Sequence, residues 1–148
     1  VDAIASSVTP MPDTIKLVGI QKEVNLEGSE EINAFWEKFH AAADLHMAID
    51  QEASKRAFAY YEFKSADMRS ADLFIGYNSL ELESGDYSTS RSISMNGYKS
   101  IYSSTNSWDT TPGWDLIDDR REPHSVIEEY QMGGGGEVVS TKVHVLYK

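Results

Sequence analysis

One order of structural signals, strand then helix then strand then strand, occurs twice along this chain, and few architectures accommodate that. Residues 15–24, Ile15-Lys16-Leu17-Val18-Gly19-Ile20-Gln21-Lys22-Glu23-Val24, read as a strand. Gly28-Ser29 before Glu30-Glu31 reads as a helix start, with Ser29 as the cap and the acids meeting the positive end of the helix dipole. Ile32, Phe35, Trp36, Phe39 and Ala43 recur at three- and four-residue spacing, which gives one apolar helix face as far as about Met47. Ala57 to Phe63 and Leu73 to Leu82 are rich in aromatic and branched residues, and they predict two strands paired as a hairpin.

The second half follows the same order. Gly97 to Tyr102 reads as a strand. Trp108 to about Asp118 reads as a second helix, with Thr111 as cap and Pro112 at the first helical position. Val126 to Tyr130 is the next strand, and Gly133-Gly134-Gly135-Gly136 is its turn. In the last strand Val139, Thr141, Val143, Val145 and Tyr147 alternate with Ser140, Lys142 and His144. The expected fold is α+β, two similar βαββ units sharing a core. A chain of 148 residues makes one domain, 14–148, preceded by an arm at 1–13 that Pro10 and Pro12 hold extended.

Charge narrows the partners. Asp and Glu number 24 against 13 Lys and Arg, a formal net charge of -11. Such a surface repels phosphate backbones and anionic lipid, so neither nucleic acid nor membrane is expected as a partner. Cysteine is absent, which excludes disulfides, zinc thiolates and cysteine nucleophiles. No apolar run approaches membrane-spanning length, and Val1 to Ser7 carries no signal-peptide pattern, so a cytoplasmic protein is expected. The sequence leaves the oligomeric state open, and its Tyr- and Val-rich final strand is compatible with a dimer.

Aromatic residues are the first chemical signal. Eight Tyr and three Trp are more than a small dry core requires, because each brings a polar atom that needs a partner. A pocket lined by aromatic rings accounts for the excess and suits flat apolar ligands and organic cations. Glu128 is the second signal. Val126, Glu128, Tyr130 and Met132 share the more apolar face of their strand, so a carboxylate falls among apolar side chains. A buried carboxylate must find a partner or take up a proton. The pattern fits equally a shifted register in which Glu128 and Glu129 both face water.

Other constellations carry less. His40 and His46 lack helical metal-pair spacing, and with His124 and His144 they read as surface or capping residues, so no metal or cofactor is expected. The tetraglycine is followed by a strand rather than a helix, which makes it a turn and not a phosphate loop. No G-x-S-x-G elbow occurs. The serines from Ser84 to Ser107 mark a polar strand edge and loops, and Asp118 to Glu122 a solvated helix end.

The order of short motifs resembles one family. Leu17 to Ile20 gives Leu-Val-Gly-Ile. Phe35-Trp36 with Phe39 lies on the helix, and Ile75-Gly76-Tyr77 on a strand. Gly97-Tyr98, Trp114 with Ile117, and Ile127-Glu128 with Tyr130 follow. Over residues 14–148 this pattern is similar to the GyrI-like effector-binding domain, of the SOUL-like duplicated βαββ type. That domain occurs at the C-terminus of AraC- and MerR-type regulators and as stand-alone proteins, some encoded by gene cassettes. The resemblance implies a pseudo-two-fold pair of units with a ligand cleft between them. It implies that aromatic rings stack on flat, often cationic drug-like compounds, with an acidic residue neutralising the ligand. The acid falls on Glu128 and the partner tyrosine on Tyr130. Trp36, Tyr77, Tyr98 and Trp114 are carried over as cleft lining, and Phe39 and Tyr61 complete the expected binding set.

The leading expectation is therefore non-catalytic binding of an amphipathic, cationic aromatic compound, by a sensor or sequestering protein. A hydrolase of reactive small molecules with Glu128 as general base is the alternative. A third is an acidic module that engages a basic protein partner, as the gyrase-inhibiting members do.

Overall fold

The computed structural model describes residues 14–41, 55–64, 68–78, 89–105, 107–132 and 138–147. The strands are β1 (Thr14–Asn25), β2 (Lys55–Phe63), β3 (Ser70–Asn78), β4 (Thr89–Ser94), β5 (Lys99–Thr105), β6 (Pro123–Met132) and β7 (Val138–Tyr147). Helix α1 (Glu30–His40) lies between β1 and β2, and helix α2 (Thr111–Trp114) between β5 and β6. The fold is α+β. All the strands join one antiparallel sheet in the order β4-β1-β3-β2-β6-β7-β5. The expected arm at 1–13, the helix beyond Ala41, the strand residues 79–82 and the glycine turn at 133–136 lie outside the described residues.

The sheet cannot be flat, and the connectivity says why. Strands β4 and β5 occupy opposite edges, about 29 Å apart in a flat sheet of this order at ~4.8 Å per strand. Yet only residues 95–98 join them, and that linker reaches at most ~19 Å. The sheet must curl to bring its edges together. Met95 and Tyr98 pack on the cluster of Ile15, Leu17, Phe58, Tyr60, Phe74, Ile93 and Ile127, so this face is the inside of the curl. The linker is a tight turn in which the Tyr98 N–H donates to the Met95 carbonyl at 3.2 Å. Gly97 takes φ 88°, the left-handed conformation that glycine adopts without a Cβ penalty.

The opposite face carries the helices. Phe35 and Phe39 of α1 are buried against Val18, Val24, Ala57, Ala59, Ala71, Leu73, Ile75 and Tyr77, as the helical spacing predicts. Burying each ring stabilises the fold by roughly 1.5–3 kcal/mol. Ser29 occupies the N-cap position, but its hydroxyl makes no capping bond; its carbonyl accepts from Asn33 N–H at 2.9 Å. The predicted β2–β3 hairpin is present, with Phe63 opposite Ala71.

Two expectations are corrected. The second helix is not a run from Trp108 to Asp118 but a single turn, Thr111–Trp114. Its N-cap is Thr110 rather than Thr111, so Thr111 is the first helical residue and Pro112 the second, and Gly113 disfavours a longer helix. The serine-rich stretch, read as a polar strand edge and loops, holds β4 and β5, the two edge strands of the sheet.

Candidate functional site

Central strands β2 and β6 pair directly, with Ala59 opposite Glu128 and Ala57 opposite Tyr130. On their helix-bearing face lies a cavity of about 680 Å³. Ala57 and Tyr61 of β2 and Glu128 and Tyr130 of β6 form its floor. Ile32, Asn33, Trp36 and His40 of α1 form one wall, and Trp108 to Thr111 with Trp114 form the other. The small alanines of β2 leave the space that the larger rings then border. Trp36 meets Tyr130 edge-on at 5.4 Å, and Tyr61 meets Trp114 edge-on at 4.9 Å, so the rings brace one another around the opening. The Trp36 ring also stacks on His40 at 5.8 Å.

Glu128 is 3% exposed at the base of this cavity. The register in which both glutamates face water is thereby excluded, since Glu129 is 4% exposed on the other face. Four donors converge on the Glu128 carboxylate. The hydroxyls of Tyr61 and Tyr130 donate to Oε1 at 3.2 and 3.0 Å. Trp114 Nε1–H donates to Oε2 at 2.8 Å, and the Thr110 hydroxyl donates to the same oxygen. All four donors are neutral. Burial pushes the Glu128 carboxyl above its ordinary value, and the bonds from Thr110, Trp114, Tyr130 and Tyr61 pull it back without cancelling that effect. Burial, then the adjacent Glu128 charge, pushes the phenols of Tyr61 and Tyr130 well above the usual tyrosine range.

The structure brings Glu128, Tyr130, Trp36, Tyr61 and Trp114 together around one space. It does not bring the other three named residues there. Phe39 is fully buried behind Trp36, which it meets edge-on at 5.8 Å, and Tyr77 packs on Phe39 at 5.4 Å. Both support the wall and neither lines it. Tyr98 is on the other side of the sheet, where its hydroxyl bonds Ser125 Oγ. It belongs to the 95–98 turn, one residue before β5, so strand alternation does not govern its direction.

Sequence reasoning missed Thr110, and it counted Trp108 among the pocket aromatics without placing it in the binding set. Thr110 is the N-cap residue of α2, and that turn aims its hydroxyl at Glu128. Trp108 borders the cavity with 74% of its surface exposed. The cap-before-proline signal points to Thr111, one residue too late. His144, expected at the surface, is buried as well. Among the described residues, no cluster of three His, Asp or Glu side chains is placed to hold a metal, and no helix is long and apolar enough to cross a membrane. No family model and no curated protein matches this chain.

Proposed function

We propose that the cavity binds a small, flat, amphipathic organic cation without transforming it. The observation that carries this reading is Glu128, a buried carboxylate at the base of an aromatic cavity whose four hydrogen-bond partners are all uncharged. Burial raises its proton affinity, and none of the four partners carries a positive charge to offset that. A cation lying across the rings of Trp36, Tyr61 and Trp114 supplies that compensation, and their π-faces favour it as well. This is the role the family resemblance implies for the acid of the late strand. In this reading the protein is a cytoplasmic drug-binding sensor or sequestering module.

A duplicated origin accompanies the proposal. Reading outward from the centre, β2, β3, β1 on one side mirror β6, β7, β5 on the other, and in chain order a helix follows the outermost strand of each set, β1 and β5. The cavity then lies where the two halves meet, and β4 is an addition at one edge. The hydrolase reading has less support. A carboxylate has about four acceptor positions, and here four donors occupy them, which leaves none for an activated water.

Fluorescence titration with a rhodamine-type cation, beside a neutral dye of the same shape, tests the reading. Glu128→Gln keeps the volume, and its amide can bond the same neighbours. The cation should bind about 10- to 100-fold more weakly to the variant, a loss of about 1.4–2.8 kcal/mol of charge attraction. The neutral dye should bind the two proteins equally. Equal loss for both dyes, or no binding of either, sinks it.

A further inference from the structure

The inside face of the curl holds a second polar constellation, independent of the cavity. Ser100 of β5 and His144 of β7 are direct cross-strand partners, and Ser100 Oγ lies 2.7 Å from His144 Nδ1. His144 Nε2 lies 3.2 Å from Glu129 Oε1, and Arg56 Nη1 lies 3.6 Å from Glu129 Oε2. His144 and Glu129 are buried, while Ser100 is exposed. We infer that Ser100, His144 and Glu129 act as nucleophile, base and positioning residue in acyl transfer from small carboxylic esters.

The polarity of the hydrogen bonds follows from the chemistry of the partners. Burial opposes ionisation of Glu129, but the His144 hydrogen bond and then the Arg56 charge outweigh it and hold the carboxyl below its ordinary value. An ionised carboxylate only accepts, so it takes the ring's Nε2–H. In the neutral form that serves as base, the lone pair is then on Nδ1, and the Ser100 hydroxyl donates to it. This is the arrangement a nucleophilic serine needs: a base within reach of its proton, and a third group fixing the ring tautomer.

The backbone supplies a further element. The β5–β7 register shifts between Ser100 and Tyr102, so Ile101 has no cross-strand partner on β7. Irregularities of this kind re-aim side chains and free backbone groups. Among the described residues strand β5 is also a sheet edge, with a strand paired on one side only. In the proposal, N–H donors of that open edge receive the ester carbonyl oxygen.

In the reaction, Ser100 Oγ forms a bond to the ester carbonyl carbon while its proton passes to His144 Nδ1. The tetrahedral adduct expels the alcohol, which leaves with that proton. Water then attacks the acyl serine by the same route, releasing the carboxylic acid and restoring the hydroxyl.

A fluorophosphonate probe on the intact protein, followed by peptide mass spectrometry, tests this. Ser103 is exposed on the same strand and opposes Lys142 rather than a histidine, so it serves as the internal reference. Ser100 should be labelled at least 100-fold faster than Ser103, and His144→Gln should remove that advantage, in the range expected of a general base. For the positioning residue, Glu129→Asp should keep more labelling than Glu129→Gln. Equal labelling of the two serines overturns the inference. So does labelling of Ser100 that survives His144→Gln. Where a variant fails to fold, the ratio in the unmodified protein decides alone.

Discussion

Glu128 and Glu129 are consecutive residues of β6 whose carboxyls emerge on opposite faces of the sheet into opposite electrostatic surroundings. Glu128 meets neutral hydroxyl and indole donors, and Glu129 meets Arg56 and His144. Burial dominates the first and raises its proton affinity; the partners of the second overcome burial and lower it. Two adjacent acids therefore leave opposite marks on stability.

The signs follow from linkage. Glu128 has a folded value above its ordinary 4.5, so its contribution is fully present below that pH and is lost as pH rises through the folded value. Glu129 has a folded value below 4.5, so its contribution is present above that pH and is lost as pH falls through the folded value. Urea unfolding from about pH 2.5 to 8 checks both, since the Glu129 contribution is lost only below its ordinary value. Glu128→Gln should gain stability over the parent as pH rises. Glu129→Gln should lose most near pH 7 and least in acid. Parallel curves for the two variants contradict the assignment.

The α2 turn depends on close approach to β7. A methyl group at Gly113 would lie 2.6 Å from Val143 Cγ2 and 2.9 Å from Tyr102 Cβ. Gly113→Ala should destabilise the fold by about 1–3 kcal/mol, as overpacking does. It should also lift Thr110 and Trp114 away from Glu128, so the variant should bind the rhodamine-type cation more weakly even where it is fully folded. A loss of stability with unchanged affinity would uncouple the turn from the site.

The two faces predict different results for two tyrosines. Tyr61 lines the cavity and donates to Glu128, whereas Tyr98 bonds Ser125 on the other side. Tyr61→Phe should weaken cation binding several-fold, and Tyr98→Phe should leave it within about twofold. Trp36→Ala should cost about 0.5–2 kcal/mol of cation affinity, the range of a cation–π contact. A comparable loss in Tyr98→Phe would place the ligand elsewhere.

Much of this arrangement was legible in the chain, for identifiable reasons. Ile32, Phe35, Trp36 and Phe39 declared the face of α1 because helical spacing leaves one reading. Glu128 stood out because period-two alternation put it among Val126 and Tyr130. The same rule could not separate Trp36, at the cavity, from Phe39 and Tyr77 in the layer behind, since all share one face. It also misjudged His144, whose alternation with Val143 and Val145 reads as solvent-facing. The curl buries that face too, and curl is a property of strand order rather than of any local stretch. Strand β4, Thr-Ser-Arg-Ser-Ile-Ser, holds one large apolar residue, so its sequence carries little strand signal. Thr110 lies in an irregular segment where no periodicity applies.

That hydroxyl gives the sharpest test of the site. Thr110→Val preserves the shape of the side chain and removes one of the donors to Glu128 Oε2, leaving Trp114 Nε1–H on that oxygen. A hydrogen bond to a charged group contributes about 1.5–3 kcal/mol, and it favours the ionised carboxylate. With burial unchanged and one stabilising bond gone, the Glu128 carboxyl should titrate at higher pH than in the parent. Trp114→Phe should shift it in the same direction by removing the other donor to that oxygen. Carboxyl carbon-13 NMR with labelled glutamate follows the titration directly. A shift to lower pH in either variant would mean that these donors do not stabilise the charge.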